Sequence, residues 1–200
     1  PLGEKEKISW GDKAGTQLTQ NCSGKHAGML ITCQQNGWDM DTYLEMDHPL
    51  QIAVKNEIEL LAGEKVSAST FDGCGAPLFA ISLTGLAKAI AAVVKSNDSV
   101  YKQIVAACTK YPELVAGEGR LTTRMMRAVP GLFMKEGAEG VHIAGQRGKG
   151  VIAFKVIDGS MRAHEVITRS ALARIGITAQ VPAATVFGGP LPKVEIRASF

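Results

Sequence analysis

The spacing of apolar residues changes at Pro130, and that change restricts the chain to folds that mix helices with a sheet. Beyond Pro130, residues 132–135, 141–144 and 151–157 read as short extended runs separated by glycine-rich turns. Gly137-Ala138-Glu139-Gly140 joins the first two runs, and Arg147-Gly148-Lys149-Gly150 forms a hairpin loop between the second and third. Residues 162–175 return to helical spacing, with Val166, Leu172 and Ile175 on the inner side. Near the end, Val194-Glu195-Ile196-Arg197 alternates as an edge strand would. The expected architecture is α+β. It has an antiparallel sheet late in the chain with flanking helices, covered by a helical cluster formed earlier.

The earlier part predicts that cluster. A helix over 26–35 stops at Asn36-Gly37, a favourable C-cap pair. Asp47-His48-Pro49 opens the next: Asp47 is the expected cap, and Pro49 suits a first turn whose amide would lack a partner anyway. Ile52, Val54, Ile58, Leu60 and Leu61 form its apolar face, and Gly63 ends it. Helices are also expected over 83–95, 100–109 and 121–128. Tyr111-Pro112 breaks the second of these, and 113–119 reads as a loop. Residues 66–71 look like a strand and 78–82 extended; residues 1–20 look like a loop anchored by Trp10. Two hundred residues at 46% hydrophobic can bury a core of their own, so one domain over 1–200 is expected. The net charge is +3 with no block of Lys or Arg, which argues against a nucleic-acid surface. No apolar run approaches the roughly 18 residues of a membrane-spanning helix. A chain of this size needs no disulfides, so its four cysteines point to a reducing, cytoplasmic setting, where cysteines more often bind metal or react.

Two stretches concentrate reactive groups. Asn21-Cys22-Ser23-Gly24-Lys25-His26-Ala27-Gly28-Met29 sets a thiol, an amine and an imidazole at the start of the first predicted helix. Asn21 or Ser23 is the expected cap there, and the positive end of a helix lowers a thiol's pKa. The second stretch is Thr70-Phe71-Asp72-Gly73-Cys74-Gly75-Ala76-Pro77, where glycines flank a cysteine that follows a carboxylate by two residues. Cys33 and Cys108 sit in apolar patterns and read as small buried hydrophobes. His48 belongs to a cap, and His142 and His164 have no partner visible in the sequence.

These motifs carry a resemblance. The segment from Asn21 through Met29-Leu30, Asp47-His48-Pro49-Leu50-Gln51, Asp72-Gly73-Cys74-Gly75-Ala76-Pro77 and Lys135-x-Gly137-Ala138-Glu139-Gly140-Val141 occur in that order. Together they resemble the rhizobial-type L-asparaginase II family, which is distinct from the threonine-dependent bacterial asparaginases. The resemblance implies a fold like that of serine β-lactamases, penicillin-binding proteins and glutaminases. It also implies hydrolysis of the side-chain amide of L-asparagine, a small amino-acid substrate, and a homodimer. By the same resemblance Cys22, Lys25 and Cys74 hold a zinc ion, with water completing the set. His26 and Asp72 orient those ligands or touch substrate. Lys135 corresponds to the strand lysine that supports deprotonation of the nucleophile, and Gly137 and Gly140 let substrate approach the strand. Lys149 and Lys155 are rival lysines, but only Lys135 adjoins the Gly-Ala-Glu-Gly run.

Zinc suits two thiolates and an open position, whereas a lysine ligand must first lose its proton, which only the metal can drive. Family members usually carry a Ser-x-x-Lys motif in a long preceding segment. The run Gly3 to Gly15 has none, so the chain is expected to be the C-terminal part of a longer asparaginase. The implied chemistry is a lysine-activated serine that attacks the amide and forms an acyl-enzyme. Two alternatives stand beside it: a zinc hydrolase whose metal-bound hydroxide attacks directly, and an inactive domain whose cysteines bind zinc to hold the fold.

Overall fold

The structure is a computed structural model and describes residues 3–180. It is a mixed α+β protein, with eight α-helices and two small antiparallel sheets among the described residues. Contacts divide the chain into two compact units, Pro1–Ala89 and Ile90–Phe200.

In the first unit α1 (Glu4–Trp10) and a 3-10 turn (Gln17–Thr19) precede α2 (Ser23–Asn36). The loop expected over 1–20 is therefore partly helical. Glu-Lys-Glu-Lys is a run of straight-chain residues that lose little rotamer freedom in a helix. Trp10 is anchored locally, its indole Nε1 donating to the Lys13 carbonyl at 2.9 Å. α2 begins three residues before the expected 26 and ends as expected at Gly37. Gly37 takes the left-handed conformation (φ 66°) and returns its amide to the Cys33 and Gln34 carbonyls. Fully buried Cys33 lies on the inner face of α2.

α3 (Pro49–Ala62) corrects a second expectation. Its cap is His48, whose Nδ1 accepts the Leu50 amide at 3.1 Å, and not Asp47. The same ring binds the Asp39 carbonyl through Nε2 at 2.9 Å, so one imidazole satisfies the helix start and the preceding loop. β1 (Ala68–Phe71) and β2 (Pro77–Ala80) then form an antiparallel hairpin, with Ala68 opposite Ala80 and Phe71 opposite Pro77. Residues 72–76 turn between them. The Asp72 amide donates to the Ala76 carbonyl at 2.8 Å, and Gly75 sits at φ 85°. α4 (Leu83–Lys95) contains the boundary between the units.

In the second unit α5 (Ser99–Lys110) is capped by Asp98, whose carboxylate accepts the Val100 amide at 2.7 Å. Part of the loop expected over 113–119 is a short helix, α6 (Pro112–Ala116). Pro112 both stops α5 and begins α6, because its missing donor falls in a first turn. The Thr123 hydroxyl fastens both ends of α6 by donating to the Pro112 and Gly117 carbonyls. Next come α7 (Leu121–Ala128), β3 (Leu132–Glu136), a 3-10 turn (Ala138–Gly140), β4 (Val141–Gln146), β5 (Gly150–Lys155) and α8 (His164–Arg174).

The sheet runs β3-β4-β5, antiparallel throughout, as expected from the turns. β5 stops at Lys155, short of the expected 157, where Val156 bonds back to Gly140 and Ile157 stands fully exposed. α8 starts at His164, after an Asp158–Arg162 ion pair has closed the turn. Met125, Met126, Val129, Leu132, Met134, Ala144, Leu172 and Ile177 form the core, so α7 and α8 supply the helical cover of this sheet. The edge strand expected over 194–197 lies outside the described residues.

Candidate functional site

The site in the first unit is made where the start of α2 meets the β1–β2 turn. Cys22 is the N-cap residue of α2, yet no side chain caps that helix; neither Asn21 nor Ser23 does so. The Asn21 amide nitrogen lies instead 3.8 Å from the Cys22 sulfur. One turn on, Lys25 reaches across to the hairpin. Its Nζ lies 3.3 Å from Cys74 Sγ and 3.4 Å from Asp72 Oδ2. The Cys74 thiol is 3.6 Å from the same Asp72 oxygen. One ligand atom each from Cys22, Asp72 and Cys74 lies within 4.8 Å of the others, all three half-buried.

Each charge is set by its neighbours. Burial works against the Lys25 ammonium, but its hydrogen bond to Cys74 and the charges of Cys74, Cys22 and Asp72 outweigh that. Its pKa is raised above the ordinary lysine value. The Gly73 amide, with help from Lys25, holds the Asp72 carboxyl below its usual range. Burial, then the hydrogen bond with Cys74, pushes the Cys22 thiol up. Burial and the Lys25 charge lower His26. His26 Nδ1 is 2.7 Å from the Tyr43 hydroxyl.

Two thiols and a carboxylate on converging loops are a donor set that can hold a divalent metal ion. The sequence placed Asp72 beside the metal ligands; the structure puts it within the group. The signal was present in the Asp-Gly-Cys spacing, which puts a carboxylate and a thiol within three residues of one turn; the Cys74 thiol then lies 3.6 Å from Asp72 Oδ2. Cys22, Lys25, Asp72 and Cys74 therefore come together in one unit, with His26 next to Lys25 in the chain and 46 positions before Asp72.

Lys135 and Gly137 belong to the second unit. Lys135 stands exposed on β3, its ammonium donating to the Glu136 carbonyl. Gly137 is exposed, with an ordinary φ of −107° and its amide bonded to the Val141 carbonyl. It is Gly140, at φ 76°, that the backbone requires to be glycine.

Two features escaped sequence reasoning. His142 on β4 and His164 at the start of α8 are buried edge to face, with ring centroids 5.3 Å apart, and Phe154 of β5 stacks on His142. Among the described residues none of their four ring nitrogens finds a well-formed hydrogen-bond partner. Ser99-Val100-Tyr101-Lys102 spells Ser-x-x-Lys in the first turn of α5. Ser99 and Lys102 are both exposed, so this pair lacks the enclosure that a lysine base and its serine need.

Among the described residues no helix is long and apolar enough to cross a membrane. A family model described as L-asparaginase II matches residues 2–189. No curated protein matches the chain.

Proposed function

This chain belongs to the L-asparaginase II family, and from that membership we propose that it serves hydrolysis of the L-asparagine side-chain amide to aspartate and ammonia. The observation that carries the reading is the convergence of Lys25, Asp72 and both cysteines on one half-buried spot. Cys22, Lys25 and Cys74 would hold a zinc ion there, with Asp72 against them. When bound, zinc supplies positive charge that polarises a substrate carbonyl.

The residues of the chain divide the remaining work. As a ligand Lys25 would have to give up its proton, which the metal's charge would drive. Asp72, already ionised by the Gly73 amide, then accepts hydrogen bonds from the substrate's ammonium group. His26 presents its second ring nitrogen to the bound amino acid. Lys135, on β3, would support a serine nucleophile, the role the resemblance implies for it. In that route a serine hydroxyl adds to the amide carbon and its proton passes to the departing ammonia. Water then cleaves the ester to aspartate and restores the serine.

Neither Ser23, with its lysine two residues on, nor the exposed Ser99 meets the requirement for that serine. The 200-residue chain by itself is therefore expected to bind L-asparagine while releasing little ammonia. A calorimetric titration of L-asparagine into the zinc-loaded chain should show binding, weakened about tenfold or more by Asp72→Asn. No binding by the wild-type chain would overturn the reading. Placement of both thiols and the carboxylate in one unit favours a second route, direct metal-dependent hydrolysis. Robust ammonia release that vanishes in Lys25→Ala and on zinc removal, but survives Ser99→Ala, would establish it.

A further inference from the structure

Tyr43 lies in no motif, yet it makes the 2.7 Å contact to His26 Nδ1, and the loop that carries it is tied down from several sides. The Asp39 carboxylate accepts the Asp41 amide and both the amide and hydroxyl of Thr42. The Asp39 carbonyl is held by the His48 ring. Tyr43's own carbonyl accepts Gln51 Nε2 at 2.7 Å, and Gln51 is 2% exposed on α3. The phenol is thus presented to α2 by a frame anchored on α3, and its ring meets the His26 ring edge-on at 5.8 Å.

We propose that Tyr43 is a positioning residue that fixes both the orientation and the tautomer of His26 beside the Cys22/Asp72/Cys74 group. A phenol O–H is a strong donor, and the lone pair of a neutral imidazole is a strong acceptor. At Tyr43 and His26 the hydroxyl donates to Nδ1, which leaves the imidazole proton on Nε2. That Nε2–H is buried, on a residue only 8% exposed, and has no partner among the described residues. A buried donor held this way selects an acceptor. On the asparagine reading, the acceptor is an oxygen of the bound amino acid.

The test reads the ring directly. Long-range nitrogen–proton correlation spectra of the zinc-loaded, 15N-labelled chain should show His26 as a single neutral tautomer protonated at Nε2. Tyr43→Phe keeps the aromatic ring and removes only the donor. It should leave the zinc content unchanged and the chain folded while His26 becomes a mixture of tautomers, with L-asparagine affinity falling about tenfold. A wild-type ring protonated at Nδ1 overturns the inference without recourse to any variant, and so does a Tyr43→Phe spectrum that keeps the pure Nε2–H form. If both spectra come out as expected while L-asparagine perturbs no resonance of the wild type, the positioning role stands and it is the asparagine reading that fails.

Discussion

Replacing Cys74 with serine removes a thiol that lies 3.3 Å from Lys25 and shares a 4.8 Å cluster with Cys22 and Asp72. A hydroxyl is a far poorer zinc donor than a thiolate, so Cys74→Ser should abolish metal binding. Cys33→Ser changes a fully buried sulfur outside the cluster and should leave about one zinc per chain, measured by elemental analysis after purification without chelator. Retention in Cys74→Ser with loss in Cys33→Ser would end the assignment. At this scale the reactive residues were legible because each motif is local: a thiol, amine and imidazole within five residues, and a carboxylate and thiol within three. Tyr43 was not legible. It acts on a residue 17 positions away, and nothing in a single tyrosine announces which ring it will meet. The buried histidine pair was hidden for the same reason, since a strand and a helix far apart in sequence bring it together.

Helices and strands were legible in proportion to the length of their period. α7 lies where expected, and β3, β4 and β5 fall within two or three residues of expectation, because extended spacing and tight turns agree there. Caps were less legible. Asp47 and Ser23 are better cap types than His48 and Cys22, but cap geometry depends on which side chain faces the free amides, and a buried imidazole with a second partner won at α3. α6 and α1 are too short to show a period. The turn between β3 and β4 gives the element scale its own prediction. Gly140 sits at φ 76°, and a Cβ there would lie 2.9 Å from Val156 Cβ and 3.2 Å from its carbonyl oxygen. Gly140→Ala should cost about 1–3 kcal/mol. Gly137→Ala, at an ordinary φ with its nearest contact at 3.4 Å, should stay within about 1 kcal/mol of wild type. Urea unfolding midpoints of the two variants decide this, and a larger loss at Gly137 would show that the turn is misread.

At the scale of the molecule, the second unit seals two histidines between its sheet and α8, and that makes its stability depend on pH. Burial lowers His142 from 6.5 to about 4, with the charges of His164 and Lys135 acting in the same direction. Burial also lowers His164, although the Glu136 carboxylate, which is paired with Arg120, and the Gly140 backbone favour its charged form. The helix dipole disfavours an imidazolium at the first residue of α8. A folded pKa below the unfolded one means that the unfolded chain takes up the proton first. The stability from a neutral His142 is thus fully present above about 6.5 and is lost as pH falls through the range down to about 4. For His142 alone the loss is roughly 3 kcal/mol, and protonation of His164 adds to it in the same direction. Carboxylates elsewhere also titrate in acid, so the comparison that isolates the pair is wild type against His142→Phe, which keeps a ring stacked on Phe154. Urea unfolding, followed through the NMR signals of β4 and β5 from pH 7.5 to pH 4, should show wild type losing stability more steeply than the variant, with the gap opening below about 6.5. Parallel curves would mean that the buried rings bind protons equally in the folded and unfolded chain, which their complete enclosure in this unit contradicts.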